Sequence, residues 1–135
     1  MADLVVPHTH TDLLHADGFA FVATIARAHR PHVSPTWYLW DDDRQQLLIS
    51  LTDTRQKYRN LRHTPEVAVC LMQPRNPYRY LELRGTVTSM DVDKDHQLID
   101  TLARKYVGAD RFHHDPADGT RLTVRITPRY ARAFG

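Results

Sequence analysis

FAFVATIARAHRPHVSPTWYLWDDDRQQLLISLT, residues 19–52, reads as three strands joined by two turns. In the second run Val33, Trp37 and Leu39 share one parity, while His32, Ser34, Thr36 and Tyr38 share the other. Alternate residues of a strand point to opposite faces. The expectation is therefore that Val33, Trp37 and Leu39 face the core and His32, Ser34 and Thr36 face outward. In the third run Leu47, Ile49 and Leu51 alternate with Leu48, Ser50 and Thr52, which puts Ser50 and Thr52 on that same outer face. The intervening DDDR suits a tight turn, because Asp tolerates the backbone geometry that turns require.

Working outward, the N-terminal HTHTDLLHADG is expected to form one or two helical turns, capped by Thr9 or Thr11 and stopped by Gly18. Beyond the three strands, a helix from about Thr54 to His63 has Thr52 or Asp53 as N-cap and ends at Pro65. EVAVCLMQ is a fourth strand, apolar on both faces, so both are expected to be covered. After the PRNP loop, YRYLELRGTVTSM is a long fifth strand with Leu81, Leu83 and Val87 on one parity and Gly85 marking a bend or bulge. DVDKDHQLIDTLARKYVG is a helix capped by Asp91 or Asp93. Leu98, Leu102 and Tyr106 form its apolar stripe and Gly108 ends it. RLTVRITPRYARAFG supplies a sixth strand and a short seventh. The chain is read as one domain, 1–135, mainly β with flanking helices. Six to seven antiparallel strands in so short a chain are expected to close into a small barrel, which removes exposed edges.

Composition narrows the functions. The window Thr52–His63 carries four Lys or Arg and one Asp, a net +3, whereas the whole chain is +2. The positive charge is local, which argues against a nucleic-acid binder with a basic stripe. A single cysteine, Cys70, excludes an internal disulfide framework and fits a reducing compartment. It lies between Val69 and Leu71 with no base beside it, so packing is the expected role. No run approaches the roughly 20 apolar residues of a membrane span, and no signal-peptide pattern opens the chain. The reading is a soluble, cytoplasmic protein. His8 and His10, and His113 with His114, lack the spacing of a metal site and read as surface histidines, so no metal is expected.

The cation window is open to two readings: a solvated helix face, or a pocket for phosphate. Cations at a helix N-terminus add to the positive end of its dipole, and a bound anion offsets that cost. Arg55 offers a planar fork and Lys57 a point charge. Arg59 and Arg62 fall on the exposed side, with Tyr58 and Leu61 packing inward. Beside them His32, Ser34, Thr36, Ser50 and Thr52 make a polar wall suited to a flat heterocycle and its polyol. The alternative there is an ordinary polar strand face.

RPHVSPTWYLWDDDRQQLLIS, TDTRQKYRNLRHTPEVAVCLMQPRNPYRYLELRGTV and the terminal VRITPRYARAFG together resemble the split β-barrel flavin and deazaflavin proteins, the superfamily of the pyridoxamine 5′-phosphate oxidases. RPHVSP, TRQKYRNL and NPYRYLELRG, in that order, resemble its small actinobacterial branch, the F420-dependent reductases of the flavin/deazaflavin oxidoreductase type B. The resemblance runs from about Asp17 to Gly135. It implies an antiparallel split barrel and a cofactor phosphate held by Arg55, Lys57 and Asn60. It also implies a tricyclic ring beside His32, Ser34, Pro35 and Thr36, and Ser50, Leu51 and Thr52 along the ribityl chain and phosphate. A homodimer with the cofactor at its interface is implied as well, the second subunit contributing Tyr78, Arg79 and Arg129.

The implied activity is hydride transfer between coenzyme F420 and a small organic substrate. The cofactor carries the chemistry and the protein supplies position and electrostatics, so no catalytic residue is assigned. Two alternatives stand beside it. One is an FMN-dependent oxidase of the pyridoxamine phosphate type, against which this chain shows no extended C-terminal segment. The other is a non-catalytic cofactor carrier or haem-binding relative.

Overall fold

The computed structural model describes residues 5–135, so the signal-peptide expectation falls partly on residues 1–4, outside the described residues. Seven antiparallel strands form one sheet in the order β2-β1-β5-β6-β7-β4-β3, a split β-barrel with helices at its flanks. The strands are β1 (Ala20–Ala26), β2 (Arg30–Thr36), β3 (Leu39–Asp41), β4 (Gln46–Thr52), β5 (Glu66–Gln73), β6 (Asn76–Val92) and β7 (Arg121–Phe134). Helix α1 (Gln56–His63) follows β4, and α2 (Gln97–Val107) follows β6. Among the described residues no helix is long and apolar enough to cross a membrane.

The opening stretch holds four strands rather than three. The second run breaks at Trp37–Tyr38, because side chains of α2 take the backbone groups of Tyr38. Its N–H donates to Tyr106 Oη at 3.2 Å, and its carbonyl accepts from Lys105 Nζ at 2.8 Å. Strand parity does not survive that break, which overturns the expected facing of Val33. Val33 is 65% exposed on edge strand β2, whereas Trp37 and Leu39 pack beneath α2. His32, Ser34 and Thr36 lie half-buried on the other face of β2. At the following turn, Asp41 Oδ1 accepts from the N–H groups of Asp43 and Arg44, as the DDDR reading expects.

The main core is built from alternate residues of the central strands, among them Val22, Ile49, Val69, Leu83 and Val124. A second cluster, Leu48, Leu98, Ile99 and Leu102, lies under α2. β4 runs between the two, so both its faces are buried. Strand β5 departs from expectation: Val67, Val69 and Leu71 are buried, but Ala68, Cys70 and Met72 are only half-buried. The last segment is one 14-residue strand, not two. Gly85 sits at a register shift between β6 and β7, where a Cβ would collide with the Thr127 carbonyl oxygen.

Asp93 caps helix α2 with its side chain from across a 3-10 turn, while the N-cap residue itself is His96, at φ +55. Both Asp93 carboxylate oxygens accept from the first turn, from Leu98 and Ile99 N–H at 3.0 Å each. Gly108 ends it at φ +69. The N-terminal segment is a 3-10 turn, His8–Leu14, that starts at Pro7 without a side-chain cap and stops at His15, before Gly18. His10 is not a surface residue: its ring is buried, with Nε2 2.8 Å from the Phe134 carbonyl.

Candidate functional site

Helix α1 starts later than expected. Gln56 is its first residue and Arg55 is the N-cap, extended at φ −84, ψ 152, with no side-chain cap. Thr52 and Asp53 are committed elsewhere. Thr52 Oγ1 pairs with Thr54 Oγ1 at 2.9 Å, and Asp53 Oδ1 accepts from Thr120 N–H at 3.0 Å. Thr54 Oγ1 in turn donates to the Asp118 carbonyl at 2.7 Å. These bonds tie the loop preceding β7 to the mouth of α1. Gly119, at φ +94, lies where any Cβ would meet Asp53 Oδ1. This tie, with the β4–β7 ladder that pairs Thr52 with Arg121, sets Arg121, the first residue of β7, beside Arg55 and Lys57.

The three cations converge on a cavity of 410 Å³. Its polar wall comes from β2, with His32, Ser34, Pro35 and Thr36, and its floor from Ser50 and Leu51 of β4. Arg55, Lys57 and Arg121 close it, with Gln56. Lys57 is almost wholly buried, and burial, then the Arg55 charge, lowers its pKa from the ordinary lysine value. Burial and Arg55 lower the pKa of Arg121 too, with Asp118 and Asp93 pulling the other way. None of the three forms a salt bridge among the described residues. Lys57 is the buried member, with exposed Arg55 and half-buried Arg121 crowding it; a buried cation is costly, and an anion is the group that relieves it.

A second observation points into the same hollow. Of five buried side-chain polar atoms without a partner, three line it: His32 Nδ1, Ser50 Oγ and Arg121 Nε. Buried polar groups are nearly always hydrogen-bonded, so three orphans around one hollow mark where a ligand's polar atoms would sit. The arrangement suits an anion held by fixed donors, next to a flat polar group along β2.

Eight residues singled out from sequence line this cavity: His32, Ser34, Pro35, Thr36, Ser50, Leu51, Arg55 and Lys57. Thr52 does not, being wholly buried. Asn60 is also used internally, donating from Nδ2 to Thr24 Oγ1 at 2.9 Å while Oδ1 accepts from Gln56 at 2.7 Å. Tyr78, 85% exposed, does not reach the cavity within this chain. Arg79 donates to both Asp12 carboxylate oxygens at 2.8 Å and to the Thr9 carbonyl. Arg129 is exposed and reaches Thr86 Oγ1 at 3.3 Å. Arg59 and Arg62 are not simply solvated. With Arg27, Arg30 and His63 they line a separate 560 Å³ cleft. There Arg59 donates to Thr54 O and Gln56 Oε1, and Arg62 lies over the Tyr58 ring. Sequence reading missed Arg121 and Gln56. The only signal for Arg121 was its parity with the polar Thr123 and Arg125, which does not say which strand it meets. No cluster of metal-ligating side chains occurs among the described residues.

Comparisons with known proteins give the family and the fold. The family model for pyridoxamine 5′-phosphate oxidase matches residues 6–135. A solved F420 reductase is 33% identical, superposes with a TM-score of 0.83, and is matched over 94% of this chain and 98% of its own. Two further structures share the fold at 20% identity. One is a conserved hypothetical protein of Mycobacterium tuberculosis, with TM-score 0.72 over 99% of this chain and 88% of that one. The other is general stress protein 26 of Bacillus anthracis, with TM-score 0.65 over 92% and 89%. No curated protein matches. With a family model that spans nearly the whole chain and an F420 reductase similar end to end, this chain belongs to the pyridoxamine 5′-phosphate oxidase family, oxidoreductases built on a flavin- or deazaflavin-binding fold.

Proposed function

We propose that this protein is an F420-dependent reductase acting on a small organic substrate, with the cofactor phosphate held by Arg55, Lys57 and Arg121. The observation that carries the reading is the convergence of three cations, none in a salt bridge among the described residues, and three orphaned polar atoms on one cavity. The residues fit the group. The cations and the open N–H groups at the mouth of α1 would hold the phosphate. Ser50 Oγ would donate to the polyol chain, and His32, Ser34 and Thr36 would border the ring. When bound, the deazaflavin supplies the hydride. The chain's own contribution is to fix the anion at one end, so that the ring lies along β2 in one orientation, and to exclude water there.

Asn60 and Thr52 are left out of this set because both are engaged internally, and Arg79 because Asp12 and Thr9 occupy its guanidinium. The proposed assembly is a homodimer. Its support is the exposed apolar side chains of the outer sheet face, Phe21, Val33 and Tyr130, which a second copy would cover, bringing Tyr78 and Arg129 near the partner's cavity. The proposed setting is the cytoplasm.

The test is titration with F420 and with FMN, followed by fluorescence quenching, on the parent chain and on Arg55→Ala, Lys57→Ala, Arg59→Ala and Arg62→Ala. F420 is expected to bind more tightly than FMN, and FMN binding more than tenfold tighter would replace the deazaflavin with the flavin. The first two variants are expected to lose about ten- to a hundredfold in affinity and the last two much less. Equal losses in all four would reduce the site to general electrostatic attraction. Light scattering that finds a stable 15.7 kDa monomer still able to bind cofactor would remove the dimer.

A further inference from the structure

Against the cationic cavity lies a second hollow of 300 Å³, within the size range of small-molecule sites. The two share one wall: Pro35, Thr36, Ser50, Arg55 and Arg121. Beyond that wall their chemistry differs. The annex is lined by Phe19, Trp37 and Phe112, with Ile99 and Leu102 of α2 as floor and Asp118 at the rim.

Its rings are held in place before any ligand arrives. Trp37 stacks on Tyr106 at 5.2 Å and 6°, and Phe112 meets Trp37 edge-on at 6.3 Å and 88°. The Tyr106 hydroxyl donates to the Gly18 carbonyl at 2.7 Å, which anchors the stack. The Arg121 guanidinium lies over the Phe112 ring at 4.9 Å, with its Nε unpartnered. An ordinary core under α2 would close over these rings. Here a hollow remains, and Phe19 is 50% exposed beside it. Apolar walls with two cations, Arg55 and Arg121, against one acidic residue at the rim, Asp118, describe a site for a flat apolar body carrying a negative charge.

We propose that this annex is a second binding site, for a flat one- or two-ring organic anion, sharing Arg55 and Arg121 with the cofactor's seat but holding the ligand's body on rings that seat does not include. As a substrate class, flat ring-bearing acids, the proposal rests on the oxidoreductase reading; as a binding site it does not.

The probe is 2-naphthoate, with neutral 2-naphthamide as its control, titrated by calorimetry into the cofactor-free protein. Binding is located by the indole N–H resonance of Trp37, told from that of Trp40 with a Trp40→Phe variant. Naphthoate is expected to bind with a shift at Trp37, and at least fivefold more tightly than the amide. Phe112→Leu, which keeps an apolar side chain, is expected to weaken it at least threefold, and Arg121→Met to erase the preference for the anion. No shift at Trp37, or equal affinity for acid and amide in the parent chain, overturns the proposal. So does strict competition with saturating F420 or FMN, since the annex would then be part of the cofactor's seat. If neither cofactor binds and naphthoate does, the proposed function falls and the annex stands. If a cofactor binds and naphthoate does not, the annex falls alone.

Discussion

Arg79 and Arg121 stand at opposite ends of the β6–β7 ladder and meet opposite surroundings. Arg79 is fully occupied. Its fork grips both oxygens of Asp12 and the Thr9 carbonyl, which clamps the N-terminal turn to the sheet. The hydrogen bond from Arg79 also holds the Asp12 carboxyl below its usual range. Beside this clamp, His10 ties the same turn to the Phe134 carbonyl. Arg121 forms no salt bridge among the described residues, and has an unpartnered Nε and two more cations across the cavity. One end of the ladder spends its polar groups on the fold. At the other end the fold leaves them unpaired, and the difference separates a structural arginine from one available to a ligand.

The largest expected effect tests that contrast directly. Arg121→Met should weaken binding of a phosphate-bearing cofactor by about 1.5–3 kcal/mol, roughly ten- to a hundredfold. It should leave the melting temperature of the cofactor-free protein unchanged or higher, because a half-buried cation without a salt bridge is removed. Arg79→Met should do the reverse, lowering the melting temperature while affinity stays within about twofold. Calorimetric melting and a cofactor titration on both variants measure the crossing. Equal affinity losses would mean that Arg79 reaches the site of a second copy, and the contrast would fail.

A smaller effect sharpens the structural end. The Phe134 carbonyl can only accept, so His10 Nε2 carries the proton, and Nδ1 takes the Thr9 hydroxyl at 2.8 Å. His10→Leu should cost about 0.5–1.5 kcal/mol in unfolding free energy, read from urea denaturation. His10→Gln, which can present an N–H in the same direction, should recover part of it. Cofactor affinity should not move in either. If it falls with His10→Leu, the N-terminal turn and the cationic cavity are coupled.

The same contrast explains what was legible in the sequence. The Asp93 cap, the DDDR turn and the Gly108 stop are set by residues a few positions apart, and each was readable. So was the wall from His32 to Thr36 with Arg55 and Lys57, though through resemblance more than through strand parity. Parity gave Val33 to the core, and the break at Tyr38, caused by Lys105 and Tyr106 far along the chain, reversed it. Arg121 was invisible for a related reason. It reaches Arg55 because β7 pairs with β4, setting Arg121 opposite Thr52, and because Asp53 and Thr54 bind the loop around Gly119, long-range ties with no local pattern. Asn60 shows the converse: its place in the R-x-K-x-x-N segment suggests a ligand, and in the fold its amide is engaged by Thr24 and Gln56.

Lys105 is the intermediate case, a cation given neutral partners in place of a carboxylate. Its ammonium donates to the Tyr38 carbonyl at 2.8 Å and lies 4.3 Å from the Tyr38 ring centre and 4.8 Å from that of Tyr106. Burial pulls its pKa from 10.5 to about 8, with Asp17 opposing. Between those values the unfolded chain still holds the proton and the folded chain releases it. Stability rises with pH wherever the unfolded state binds more protons, so Lys105 contributes a rising slope from about pH 8 upward. Above pH 10 the tyrosines reverse the sign. Burial lifts Tyr106 from 10.0 to about 12 and raises Tyr38 as well, so the unfolded chain loses those protons first. The usable window is therefore pH 8 to 10. The effect should be small, because Lys105 is only half-buried and solvent screens it. The measurement is the difference in melting temperature between the parent and Lys105→Met at pH 8, 9 and 10, a comparison in which Lys57 and the other groups cancel. The parent should gain on the variant as pH rises. Parallel curves would show that the carbonyl and the two rings compensate the buried charge as fully as Asp12 does for Arg79, and that an unpaired cation in this fold carries no stability cost of its own.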